Sequence, residues 1–191
     1  PVLTLNPPAL GEFTGTTGVP LPGTDIVLLG DGDRVMPTGE TGEVCAKGPQ
    51  VMSGYWNQPE ATRVAFTKDG YFRTGDIGRF DGRGFLKLGD RKKDMVLVSG
   101  FNVYPNEGEA VASAVPGVAE CACIGVPDER TGEALRLFVA RAPGSEVTDA
   151  EIIEHCRKEL AAYKVPKDIR FIAALPKSTV GKILRRELRG L

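Results

Sequence analysis

Three polar clusters in this chain carry groups suited to phosphate and carboxylate chemistry. Arg73-Thr74-Gly75-Asp76 sets a carboxylate on a tight glycine turn. Facing a cleft, that carboxylate can accept hydrogen bonds from two vicinal ribose hydroxyls. Asp90-Arg91-Lys92-Lys93-Asp94 is a charged cluster between two apolar, strand-like runs. A few element-terminal residues of this kind absorb the backbone change at an interdomain hinge. Ser178-Thr179-Val180-Gly181-Lys182 places a lysine after a glycine turn, where it can swing over a carboxylate or phosphate as a point charge. Taken singly, each cluster has a plainer reading that takes precedence. These are a β-turn whose Asp bonds its own backbone, a solvated charged turn, and one more charge on a tail.

A fourth stretch, Thr14-Gly15-Thr16-Thr17-Gly18-Val19-Pro20, imitates a phosphate loop. It lacks the G-x-x-x-x-G-K-[ST] pattern, and no lysine follows to reach a phosphate. A structural Gly/Thr loop is expected there. The single His155 lies on a predicted helix without a second ligand at metal spacing, so no metal site is expected. Cys45, Cys121, Cys123 and Cys156 show no C-x-x-C spacing and fit small buried hydrophobes in a reducing compartment.

The elements that must position these groups change character near residue 90. Before it, Asp25–Leu29 is a short strand, Glu43–Lys47 alternates like a second, and a short helix follows Tyr55 with Pro59 near its first turn. Tyr71-Phe72-Arg73 and Phe85–Leu88 flank the Asp81-Gly82-Arg83-Gly84 turn. Short strands and sharp turns predict an antiparallel sheet or a small distorted barrel over residues 1–89. After the cluster, Met95–Val98 is a strand and Pro105 opens a helix to about Ala114. Val118–Val126, Ala134–Arg141 and Asp168–Ile172 are strands. Thr148 and Glu151 form a capping box ahead of a helix with Ile152, Cys156 and Leu160 on one face. The fold class is therefore α+β: a β-rich piece (1–89), a hinge (90–93) and a small α/β piece (94–191).

Length and composition set the outer bounds. The 191 residues suit one large or two small domains. A net charge of −1 supplies no global field for nucleic acid or anionic membrane. The sign is uneven: residues 164–191 hold eight Lys/Arg against two acids, which composition alone assigns to a solvated basic tail. No apolar run is long enough to span a bilayer. The chain starts without Met in an apolar, proline-rich stretch and is expected to be a piece of a longer protein.

The three clusters acquire weight from occurring together, in this order and at these separations. GYWNQPEAT, YFRTGDIG, DRKKDMVLVSGFNVYPNE and YKVPKDIRFIAALPKSTVGKILRREL closely resemble the C-terminal part of the adenylate-forming acyl-CoA synthetases, most of all the bacterial long-chain fatty acid–CoA ligases. The resemblance covers nearly the whole chain. It implies a two-step reaction with ATP, Mg2+ and CoA, in which a fatty acid becomes acyl-AMP and then acyl-CoA. It implies that Asp76 binds the nucleotide ribose with Arg91 nearby, and that Lys93 is the pivot of a rotating lid. It also implies that Gly100 lines the pantetheine tunnel and that Lys182 is the catalytic lysine bridging substrate carboxylate and nucleotide. The partners it implies are fatty acid, ATP and CoA. The place it implies is the cytoplasm, with peripheral contact at the inner face of the cell membrane left open. A ligase for a medium-chain or aryl acid, an amino-acid-activating domain and a non-catalytic binding module are the alternatives.

The phosphate loop, the acyl pocket and the Tyr-Gly-x-Thr-Glu segment whose Glu holds Mg2+ are expected to precede residue 1. The 191 residues by themselves are therefore predicted to catalyse no ATP–pyrophosphate exchange. Measurable exchange by this piece alone would sink that expectation.

Overall fold

The computed structural model describes residues 1–11 and 14–191. The chain divides into two compact units, Pro1–Lys93 and Asp94–Leu191. None of the described helices is long and apolar enough to cross a membrane.

The first unit is sheet-based. β1 (Thr4–Leu5) and β2 (Val19–Pro20) form a short antiparallel pair. β3 (Asp25–Leu29), β4 (Gly42–Lys47), β5 (Phe72–Phe80) and β6 (Leu86–Arg91) form an open antiparallel sheet in sequence order. Of the two architectures open to the sequence, the described residues form the sheet and no closed barrel. α1 (Pro59–Ala65) begins with Pro59, where a missing N–H costs nothing. Leu28, Val44 and Leu86 form the core, with Ile26, Met36 and Phe80 packed against them.

The Thr14–Pro20 loop is structural, as its sequence suggested. Thr17 N donates to Leu86 O at 2.8 Å, and Leu86 N donates to Gly18 O at 2.8 Å. Gly18 has φ +98°, and a Cβ there would stand 2.1 Å from the backbone of Leu5. The loop's polar backbone is thus spent on its own fold.

The expected turn at Arg73–Asp76 is instead part of β5. The registers with β4 and β6 both shift here, between Glu43 and Cys45 and between Asp76 and Gly78. Gly75 takes φ +72°, which only glycine adopts readily. Thr74 Oγ1 donates to Val44 O at 2.8 Å and accepts from Asp76 N at 3.1 Å, so a hydroxyl replaces lost ladder bonds. The result is a β-bulge, which re-aims the next side chain.

The second unit packs helices on both faces of a five-stranded sheet. β7 (Val96–Val98) and β8 (Phe101–Val103) form a hairpin. α2 (Pro105–Ser113) follows, then the long hairpin of β9 (Val118–Asp128) and β10 (Gly132–Arg141). After α3 (Asp149–Glu159), β11 (Asp168–Phe171) joins β10 in parallel. Side chains alternate across the sheet with the two-residue period of strands. Cys121, Cys123, Leu135, Leu137 and Val139 face α2 and α3, together with Ile152 and Cys156. Ala122, Ile124 and Phe138 face the other way, against Leu175 and Leu188. The capping box forms: Glu151 N donates to Thr148 Oγ1 and Thr148 N to Glu151 Oε2.

The C-terminal segment is not a solvated tail. It ends in α4 (Arg185–Leu188), and Leu188 and Leu175 are fully buried on the sheet. Composition registered its charge and missed that apolar residues lie between the charges.

All four cysteines are free and buried. Burial pushes the Cys45 thiol up to about 11 and the Cys121 thiol up to about 12, from an ordinary 9.0. A raised thiol pKa keeps the folded state protonated where the unfolded chain ionises. The contribution of these two thiols to stability is therefore complete below about pH 9 and is lost as pH rises from about 9 towards 11 to 12. In the folded protein at pH 8, iodoacetamide is predicted to leave Cys45, Cys121, Cys123 and Cys156 unmodified by peptide mass mapping. Rapid alkylation of any of them would contradict their burial.

Candidate functional site

The bulge at Gly75 brings two of the sequence-predicted residues together. Asp76 and Arg91 are cross-strand partners on β5 and β6. Arg91 Nε donates to Asp76 Oδ1 at 2.9 Å. The pair remains open to solvent, with the side chains 32% and 48% exposed for Asp76 and Arg91. An exposed ion pair of this kind adds little to stability. It holds a carboxylate and a guanidinium side by side at the rim of the sheet, both able to take a further polar ligand.

Beneath that rim lies a charge cluster that the motif reading missed. Glu43 on β4 is only 5% exposed. It accepts from Arg73 Nη1 at 3.2 Å and from Lys92 Nζ at 2.9 Å. Arg73 also donates to both Asp33 carboxylate oxygens, at 2.6 and 2.7 Å. The Asp33 hydrogen bond keeps the Arg73 guanidinium protonated beyond its usual range. Glu43 therefore ties β5 to Lys92, the last residue but one of the first unit. Its only signal in sequence is an acid at the head of an apolar strand, Glu43-Val44-Cys45-Ala46.

Lys93 is the last residue of the first unit, and its side chain pairs with no acid among the described residues. Gly100 and Lys182 lie in the second unit, on separate turns. Ser99 (φ +51°) and Gly100 (φ +84°) are the two residues joining Val98 to Phe101. Positive φ at both positions is the mark of a type I′ hairpin turn, which explains glycine at the second. A Cβ at Gly100 would meet nothing within 4 Å, so the space in front of this turn is open. Beside it, the Phe101 ring stacks on Tyr163 with centroids 4.5 Å apart.

Lys182 sits at the tip of a small hairpin. Ser178 N donates to Lys182 O at 2.8 Å, and Lys182 N donates to Ser178 Oγ at 3.1 Å. Gly181 takes φ +80° to close the turn. The Lys182 ammonium points into solvent and pairs with no acid among the described residues. Three residues on, Arg185 is held by Glu109, a second group the motif reading missed. Among the described residues, no group of three or more His, Cys, Asp or Glu could hold a metal ion.

Two family models match the chain: the AMP-binding enzyme model over residues 1–56 and the AMP-binding enzyme C-terminal domain model over residues 107–182. A long-chain-fatty-acid–CoA ligase of Escherichia coli O6:H1 is 50% identical over 189 residues, 99% of this chain and 33% of the ligase. A feruloyl-CoA synthase of an Amycolatopsis species is 44% identical over 188 residues, 98% of this chain and 38% of the synthase. The crystal structure of ATP-bound MatB from Rhodopseudomonas palustris superposes with a TM-score of 0.88 at 39% identity, over 92% of this chain and 35% of MatB. The chain spans about a third of the length of the curated relatives it matches.

The two acids described above differ in what they hold. Replacing Glu43 by Ala removes the buried acceptor shared by Lys92 and Arg73, while Arg73 keeps Asp33, and is predicted to cost about 2 kcal/mol. Replacing Asp76 by Ala removes only an exposed pair and is predicted to cost under about 1 kcal/mol. Urea unfolding of the two variants checks the ranking, and equal losses would contradict it.

Proposed function

Because this chain belongs to the AMP-binding enzymes, with matches to both the family model and its C-terminal-domain model, we propose that it forms the C-terminal third of a long-chain fatty acid–CoA ligase. The observation that carries this reading is the 50% identity to a bacterial ligase of that kind, sustained over 189 residues through both units. The whole enzyme joins a fatty acid to CoA at the expense of ATP. In the first step a carboxylate oxygen attacks the α-phosphorus of ATP. The bond from that phosphorus to the bridging oxygen breaks, and pyrophosphate leaves with the electron pair. In the second step the CoA sulfur, having given its proton to solvent, attacks the acyl carbonyl, and AMP departs with the former carboxylate oxygen.

The groups described above suit these steps. The exposed Asp76 carboxylate is placed to accept from the ribose hydroxyls, with Arg91 orienting it from 2.9 Å away. Lys182 bridges carboxylate and nucleotide in the first step, where its charge offsets negative charge crowding at the α-phosphate. A lysine on a hairpin tip with no competing acid is free to do this. Lys93 serves as the pivot, so that the face presenting Lys182 gives way to the face presenting Gly100 for thioester formation. The open space before Gly100 leaves room for the slender pantetheine arm. Mg2+ belongs to this reading as the companion of the ATP phosphates. The described residues offer no cluster to hold it, and no step here runs through it. The fatty acid, ATP and CoA are the partners, and the cytoplasm is the place where all three meet.

The feruloyl-CoA synthase match favours a second reading of the same chemistry, a ligase for an aryl acid. Fatty acids and aryl acids compared in a thioester assay of the full-length enzyme separate the two.

In the full-length enzyme, Lys182→Ala is predicted to lower ATP–pyrophosphate exchange by at least about a hundredfold, the scale of a lost positioned charge. Thioester formation from supplied acyl-AMP is predicted to be largely spared. Equal loss in both half-reactions would refute the role.

A further inference from the structure

Lys182 lies on a hairpin tip, yet its proposed task demands placement to within a fraction of an ångström. Something must fix the tip. The apolar residues around it, Ile183 and Leu188, hold the segment against the sheet. Apolar burial is strong but non-directional, and does not set the angle of the tip. Two ion pairs flank the hairpin. Before it, Lys177 pairs with Glu120, both substantially exposed, so this contact constrains little. After it, Arg185 is of another kind.

The Arg185 side chain is 21% exposed and that of Glu109 16%. Arg185 Nη2 donates to both Glu109 oxygens at 2.9 Å and to Asn106 Oδ1 at 2.6 Å. Its Nη1 stands 3.8 Å from Asp94 Oδ2. Glu109 is itself immobilised, because Cys123 N in the middle of β9 donates to Glu109 Oε1 at 2.6 Å. A planar guanidinium held at several points by charged, partly buried acceptors has one orientation, which apolar packing cannot supply. Arg185 opens α4, so fixing it fixes where the hairpin three residues earlier leaves the sheet.

We propose that Arg185 is a positioning residue for adenylation, acting through Lys182 by way of its anchorage on Glu109, Asn106 and Asp94. It touches no substrate. The proposal rests on the role given to Lys182 under Proposed function, and goes beyond it by naming what aims that lysine.

The test measures both half-reactions in the full-length enzyme for Lys182→Ala, Arg185→Met, Arg185→Lys and the double variant Arg185→Met/Lys182→Ala. Arg185→Met is expected to lower ATP–pyrophosphate exchange by about ten- to a hundredfold, the cost of misplacing a catalytic group by about 1 Å. Thioester formation from supplied acyl-AMP is expected to stay within about twofold, since Lys182 plays no part in that step. With Lys182 already gone, removing Arg185 is expected to lower exchange no further, because residues that act as a unit are not additive. Arg185→Lys keeps the charge, loses the planar fork, and is expected to show a smaller drop in the same half-reaction alone. It carries the test if Arg185→Met fails to fold. A general loss of lid structure would depress both half-reactions together, and that result would overturn the proposal. So would an additive loss in the double variant, or unchanged exchange in Arg185→Lys. If Lys182→Ala leaves exchange intact, the role of Lys182 falls and this proposal with it. If Lys182→Ala abolishes exchange while the Arg185 variants do not impair it, only this proposal falls.

Discussion

The second unit depends on how one strand edge is closed. β9 pairs with β10 alone among the described strands, so its other edge presents N–H groups that no strand receives. An open edge invites pairing with another chain and must be blunted. Here the Glu109 carboxylate, reaching from α2, takes the N–H of Cys123 in the middle of that edge. A carboxylate drawn into partial burial needs an opposite charge, and Arg185 from the far end of the unit supplies it. One contact at the edge thus satisfies a strand N–H, links α2 to β9 and ties down the segment bearing Lys182. Arg189 extends it by reaching Asp94, the first residue of the unit.

The first unit handles its boundary in a parallel way. Glu43, buried on β4, receives Lys92 and Arg73. The residues on either side of Lys93 are therefore each fastened within their own unit, Lys92 by Glu43 and Asp94 by Arg185 and Arg189. Lys93 has no such tie among the described residues. A hinge needs a few element-terminal residues free to absorb backbone rotation. This arrangement supports the pivot role proposed for Lys93.

Much of this was legible in the sequence, for local reasons. Strands announced themselves as short apolar or alternating runs bounded by turn residues, as in Asp25–Leu29 and Glu43–Lys47, and the α3 start by its capping box. The candidate site residues were legible as motifs, because Asp76, Arg91, Gly100 and Lys182 each follow a short, characteristic string. What escaped is non-local. The Arg73–Asp76 stretch looked like a turn because its glycine and hydroxyl are turn residues. Only its pairing with β4, 30 residues away, makes it a bulge. Glu43 and Glu109 carry no local signal of their role, since their partners are 49 and 76 residues distant. The tail looked solvated because charge dominates its composition, while Leu175, Ile183 and Leu188 decide where it lies.

The most direct measurement follows one oxygen atom. If the fatty acid carboxylate attacks the α-phosphorus and AMP later leaves with that oxygen, the full-length enzyme supplied with carboxyl-18O fatty acid, ATP and CoA must form AMP carrying one 18O. Pyrophosphate must carry none. Label in inorganic phosphate with ADP as coproduct, or unlabelled AMP alongside acyl-CoA, would contradict an acyl-adenylate route.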